Sequence, residues 1–388
     1  MRNLMKWIGR GLLALIILAA VVGLWKREEV ARLSAVLSLF SEDRIVGNFS
    51  SMEGIFLSKP LVQSDLSASP LPTAPTTTLP QPVIDWIAAR DVTALVVLKN
   101  GAVVFEEYYK GTGPDDLRIN WSISKSYLSA LMGVLLDEGA IGSIDDPVVQ
   151  YAPALATSAY RDASIKDVLQ MSSGVTFDED YLAFFSDINK MGRVLALGGS
   201  MDTFATGQTD SFAAPGAQWK YVSIDTHVIG MVIRGATGQS IPDLLTDRII
   251  APLGLEADPY YLTDGYGVAF VLGGLNTTTR DNARFGQMIA NGGRWNGQQI
   301  VPSDWIDAST VASARTAPGE IGYGYQWWIP IGSEPGQFMA RGIYGQYIYI
   351  DRINDVVIAV HAADRQFRAP GAHAQNEDMF RLIAESFD

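Results

Sequence analysis

The chain has 388 residues, 48% of them apolar and 18% charged, with a formal net charge of −13. That is enough apolar material for a large core in one or two domains, while the acidic balance repels phosphate backbones and argues against a nucleic-acid partner. Cysteine is absent, which excludes a disulfide framework, a thiolate zinc site and a cysteine nucleophile.

Residues 1–27 place Arg2, Lys6 and Arg10 before the apolar run from Gly11 to Trp25, with Lys26 and Arg27 behind it. A basic start followed by an apolar stretch reads as a signal anchor or signal peptide. The run falls short of the ~20 residues of a usual span, but Trp7, Ile8 and Gly9 lengthen it if Arg10 snorkels. No Ala-x-Ala cleavage site follows. The expectation is a membrane contact through this segment, with an inner-membrane anchor and the catalytic part outside the cytoplasm. A secreted or periplasmic protein with a cleaved signal is the alternative.

Residues 28–82 read as a stem. Glu28 to Phe40 has the pattern of an amphipathic helix, and Ser67 to Pro80 is rich in Pro, Ser and Thr. Such a segment is expected to be extended, poorly packed and a spacer.

The expected globular domain spans 83–388. Ala94–Leu98 and Val103–Tyr109 flank Asn100-Gly101, a hairpin signal. Helices are expected at Ile165–Met171, Val222–Gly235, Ile241–Leu253, Asp281–Asn291 and Met379–Phe387, and a second strand pair at 346–350 and 356–360. Residues 178–213 have no clean period and read as a lid or inserted helical region. Strands at both ends with helices between them predict an α+β fold, one antiparallel sheet with a helical subdomain.

Ser122 and Lys125 form the only Ser-x-x-Lys spacing in the chain. Leu128, Leu131, Met132, Leu135 and Leu136 follow at helical spacing, and Gly139 closes the run. Residues three apart on a helix share a face, so a lysine desolvated by an apolar wall could serve as base to a serine that is inert alone. A capping serine beside an incidental lysine is the plainer alternative for this motif by itself.

Further segments change that balance. Tyr221-Val222-Ser223 follows the turn Ala214-Pro215-Gly216, and Ala340-Arg341-Gly342 precedes Ile343-Tyr344-Gly345-Gln346. Asp146-Pro147-Val148, Leu169-Gln170-Met171-Ser172-Ser173-Gly174 and Gly322-Tyr323-Gly324-Tyr325-Gln326-Trp327-Trp328 frame them. In this order they resemble the boxes of the penicillin-binding-protein and class C β-lactamase superfamily, with a flavour closest to the 6-aminohexanoate-dimer (nylon-oligomer) hydrolases and related carboxylesterases.

The resemblance implies a β-lactamase-like fold with its site between sheet and helices. It implies a serine hydrolase cleaving ester or amide bonds of small or linear substrates through an acyl-enzyme on Ser122, with no cofactor and no metal. Lys125 and Tyr221 would complete the catalytic group, with Tyr221 made more acidic by cationic neighbours. The backbone N–H groups of Ser122 and Ile343 would form the oxyanion hole. Ser223, bonding Lys125 or substrate, Gly342, Tyr344 and Trp327 would support or contact substrate. One of Trp327 and Trp328 is expected in the core. The third box departs from the family pattern, because Ala340 stands where lysine or histidine is usual, which argues against efficient β-lactam hydrolysis.

His227, His361 and His373 are the only histidines, and no Gly-x-Ser-x-Gly elbow exists, which disfavours a Ser-His-Asp triad. Asp178, Glu179 and Asp180 read as a solvated turn, with a role in orienting an amine leaving group as the alternative. The rival functions are a D,D-peptidase or penicillin-interacting cell-wall enzyme, and a catalytically silent binding protein of the same fold.

Overall fold

The structure is a computed structural model and describes residues 2–62 and 68–387. An antiparallel sheet of seven strands runs in the order 102–108, 92–99, 356–362, 346–351, 337–342, 328–329 and 322–323. The chain thus begins its sheet with an N-terminal hairpin and completes it with C-terminal strands, as the strand patterns predict. The hairpin turns at Asn100 and Gly101, whose φ angles of 50° and 76° are those a two-residue turn of this hand demands.

Alternation along the strands sorts side chains onto two faces. Val96, Leu98, Ile348, Ile350, Val357 and Ala359 join one core cluster, while Leu95, Val97, Tyr347, Tyr349, Ile358 and Val360 join the other. Helix Thr279–Ala290 covers the first face. Helices Gln81–Ala89 and Ala372–Glu385 cover the second, where Trp86 packs edge-on to Phe380 at 5.8 Å. The helical subdomain includes Ser124–Asp137, Asp187–Ala196 and Ser223–Thr237. The helix expected over Ile241–Leu253 is interrupted: its hydrogen bonding widens to a π turn over Thr246–Ile250, just before Pro252, which has no N–H to give.

One expectation about the N-terminal region, that of a detached stem, needs correction. The leader forms a helix, Arg2–Trp25, but among the described residues no helix is long and apolar enough to cross a membrane. Its uninterrupted apolar part begins only after Arg10. Met1 lies outside the described residues.

The stem is not a detached spacer. Helix Arg27–Leu37 packs against Asp187–Ala196, and Leu57–Pro60 pairs antiparallel with Tyr260–Thr263. Phe40 stacks on Tyr344 with ring centres 4.6 Å apart, and Phe49 meets both Trp121 and Tyr344 edge-on. The Pro-rich stretch is extended as expected, but it lies along the sheet: Ala74 and Thr77 donate to the carbonyls of Val103 and Val104, and Val103 donates to Pro72. Leu71 and Leu79 are buried. Ser67 lies outside the described residues.

Phe49 is fully buried in this N-terminal packing. Phe49→Ala should therefore cost about 3–5 kcal/mol of stability, read as a lower urea midpoint in equilibrium unfolding. A midpoint within error of the unmodified chain would refute an integral role for the segment.

Candidate active site

Ser122 sits in a single 3-10 turn, Trp121–Ile123, that feeds the long buried helix Ser124–Asp137. The sequence places it at the start of the helix; the structure places it one turn earlier. Trp121 holds φ at 45°, a left-handed conformation that costs a bulky residue of order 1–3 kcal/mol and persists only where its surroundings enforce it. Asn120 anchors one side. Its amide accepts from Asn282 at 2.7 Å, and donates to Thr277 at 3.0 Å in a buried network that reaches His361. The Trp121 ring is held by Phe40 and Phe49 at 5.9 and 5.7 Å.

Lys125 is buried one turn on. Its ammonium nitrogen donates to the Leu272 carbonyl at 2.9 Å and lies 5.6 Å from the centre of the Tyr221 ring. Burial lowers its pKa to about 7, against the opposing fields of Glu179 and Asp225. Near neutrality a substantial share is thus the free amine, the form that can accept a proton.

Tyr221 lines the same cavity as Ser122, whose hydroxyl favours ionisation of the phenol, and its ring stacks on Trp328 at 5.1 Å. Its acidity is opposite to the expected sense. Burial, reinforced by Glu179, raises its pKa well above the usual tyrosine value and outweighs the lowering by Arg341. The phenol is held neutral.

Ser223 corrects a second expectation. Its N–H and hydroxyl go to Glu179 rather than to Lys125, and that carboxylate also accepts from Tyr181 at 2.9 Å, while Ser223 still borders the cavity beside Ser122. Glu179 therefore caps the N-terminus of helix Ser223–Thr237 with negative charge, a favourable end for it. Burial raises its pKa. Asp178 and Asp180 are exposed, as a solvated turn requires, but Glu179 belongs to the site. The acidic triplet was its signal, although nothing in the triplet separates the middle member.

The strand Gln337–Gly342 closes the site from the sheet side. A Cβ on Gly342 would come within 2.7 Å of the Asn120 carbonyl oxygen and 3.2 Å of the Ser122 nitrogen, so only glycine lets strand and serine meet. Ile343 follows, half-buried, and then Tyr344 with φ at 60°. Ala340 is fully buried, while Arg341 reaches across the Trp328 ring at 3.6 Å. Trp327 is core rather than substrate-facing: it is buried between Phe285 and Phe338, because strand alternation gives the cavity to Trp328.

Two cavities meet at Ser122, Tyr181 and Ile343. One, of about 290 Å³, holds Tyr221, Trp328, Arg341 and Glu179. The other, of about 280 Å³, is strongly apolar and includes Tyr344, Phe40 and Leu272. Of the histidines, His227 is buried against Asp202 and His361 against Thr279. His373 reaches the polar cavity, yet burial and nearby arginines lower its pKa to about 3. Among the described residues no group of three or more acidic or histidine side chains could hold a metal ion.

Residues 85–378 match the family model described as Beta-lactamase. A 6-aminohexanoate-dimer hydrolase of Paenarthrobacter ureafaciens is 31% identical over 279 residues, covering 68% of this chain and 71% of that protein. A Bacillus anthracis structure carrying a provisional 6-aminohexanoate-dimer hydrolase name superposes with a TM-score of 0.81 at 24% identity, over 90% of this chain and 96% of that one. A family VIII carboxylesterase superposes with a TM-score of 0.59 at 17% identity, over 80% and 99% of the two chains. The chain belongs to the β-lactamase family and is a serine hydrolase of the acyl-enzyme type.

Proposed function

We propose that the enzyme hydrolyses linear esters or amides, with Ser122 as nucleophile, Lys125 as base and Tyr221 as proton donor to the leaving group. The observation that carries this reading is a buried amine of lowered pKa one helical turn from Ser122, beside a neutral phenol that lines the same cavity as that serine. Ser122 passes its proton to the free amine of Lys125 as it attacks the carbonyl. The oxyanion forms against the N–H groups of Ser122 and Ile343. Collapse expels the leaving group, which takes the Tyr221 proton. Lys125, now charged beside the phenolate, returns a proton to it. Water then repeats the sequence on the acyl-enzyme and restores the Ser122 hydroxyl. Linear amides fall within this scope, as do esters.

A fluorophosphonate probe should add one mass equivalent to the full chain and none to Ser122→Ala. Labelling that survives the substitution would remove Ser122 from the scheme, and a penicillin adduct at Ser122 would favour the cell-wall reading instead. Absence of both adducts, with no turnover, would revive the silent binding protein.

Tyr221→Phe should slow hydrolysis of an anilide or alkyl ester about 10²–10⁴-fold, the usual worth of a positioned acid. A p-nitrophenyl ester, whose leaving group needs no proton, should lose far less. Equal losses on both would assign Tyr221 a role other than proton donation.

The lowered Lys125 pKa gives a direction for pH dependence. The base is the deprotonated amine, so kcat/KM should rise with pH through about 7 and fall below it. Lys125→Arg, which cannot deprotonate, should abolish that activity; a Lys125→Arg enzyme retaining turnover with the same pH profile would disprove the assignment.

A further inference from the structure

We infer that the apolar cavity binds the acyl part of the substrate, and that this part is an uncharged alkyl or aryl chain of about ten carbons or fewer. The inference rests on the roles proposed above for Ser122 and Tyr221. Tyr221 faces the polar cavity with Trp328 and Arg341, and it does not line the apolar one. The leaving group must lie where its proton comes from. The acyl chain is left with the other side of Ser122.

That side is built for hydrocarbon. One wall is the N-terminal segment, through Val36 and Phe40; another is helix Asp187–Ala196, through Met191 and Gly192. A cavity of about 150 Å³ accommodates benzene, so 280 Å³ has room for about ten carbons. No carboxylate lines it, and its one charged side chain, Arg193, is committed to the Phe184 carbonyl at 2.8 Å and to the Phe184 ring at 4.3 Å. A terminal ammonium on the acyl chain would be buried there without a partner, at high cost. The chain thus differs in its acyl preference from an enzyme for 6-aminohexanoyl groups.

The test is a series of p-nitrophenyl esters from acetyl to decanoyl, with heptanoyl and 6-aminohexanoyl as a pair of nearly equal length. Burying a methylene is worth up to about fourfold in kcat/KM, so the octanoyl-to-acetyl ratio should exceed about 10, and heptanoyl should exceed 6-aminohexanoyl by at least about tenfold. A Cβ at Gly192 meets no atom within 4 Å, so Gly192→Phe should enter the cavity and lower the octanoyl-to-acetyl ratio about tenfold. Val36→Phe attacks the same space from the other wall if the first variant fails to fold. A series of alkyl acetates, with the chain on the alcohol, should show no such rise.

An octanoyl-to-acetyl ratio below about 10, preference for the 6-aminohexanoyl ester, or a rise confined to the alcohol series would each overturn the inference. Those results on a chain that still labels at Ser122 leave the hydrolase reading standing. Loss of labelling would bring that reading down first.

Discussion

The site depends on one costly placement, an amine sealed inside a helix wall. Water would hold Lys125 protonated through the whole physiological range; removal from water brings its two protonation states close in free energy. The same enclosure keeps the Tyr221 phenol neutral. The proposed base and acid are thus set by one physical cause acting on groups of opposite charge type. Glu179 and Asp225 limit the effect. Their fields favour the ammonium, so the amine is tuned rather than simply stripped of its proton. Asp225 is itself buried and receives the hydroxyls of Tyr160 and Ser173, which ties the Leu169–Gly174 segment to the floor of the site.

The second constraint is mechanical. The residue before Ser122 and the residue after Ile343 both hold left-handed backbone angles, and both are aromatic. Their rings share one cluster with Phe40 and Phe49, and Tyr344 also packs on Phe367 at 4.6 Å. The strained backbone at each proposed oxyanion donor is therefore held by side chains from a segment far upstream in sequence. Framing segments add rigidity. Gln326 donates to the carbonyls of Val168 and Leu169, and the helix hydroxyls Ser126 and Ser129 donate to the backbone of Gln326 and Tyr325.

Much of this was legible in the residues. Short apolar or alternating runs located the strands that begin and end the sheet, Asn100-Gly101 located the hairpin, and ordered short boxes pointed to the family. What escaped reading depends on tertiary context. The Pro/Ser/Thr-rich composition of residues 67–80 reports weak self-packing, and it is silent on whether a sheet edge lies waiting for such a strand. Glu179 looks like its acidic neighbours until helix Ser223–Thr237 points an N-terminus at it. Trp327 and Trp328 differ only in strand parity, which fixes core against cavity once the register is known. The acidity of Tyr221 turns on the sum of burial and several fields, and a cationic neighbour alone predicts the wrong sign.

The docked proline-rich stretch has a consequence for how the molecule meets copies of itself. An open outer strand is a template for pairing with another chain. Here the outermost long strand, Ala102–Tyr108, already has backbone groups engaged by residues 72–77, and prolines 70, 72, 75 and 80 leave that added layer poor in donors. The opposite margin ends in a strand of two residues, Gly322–Tyr323. Both margins are blunted, one by a proline-laden cover and one by brevity. A shortened chain that begins at residue 83 would lose the cover and offer Val103 and Phe105 on a bare edge, one prone to stack strand on strand.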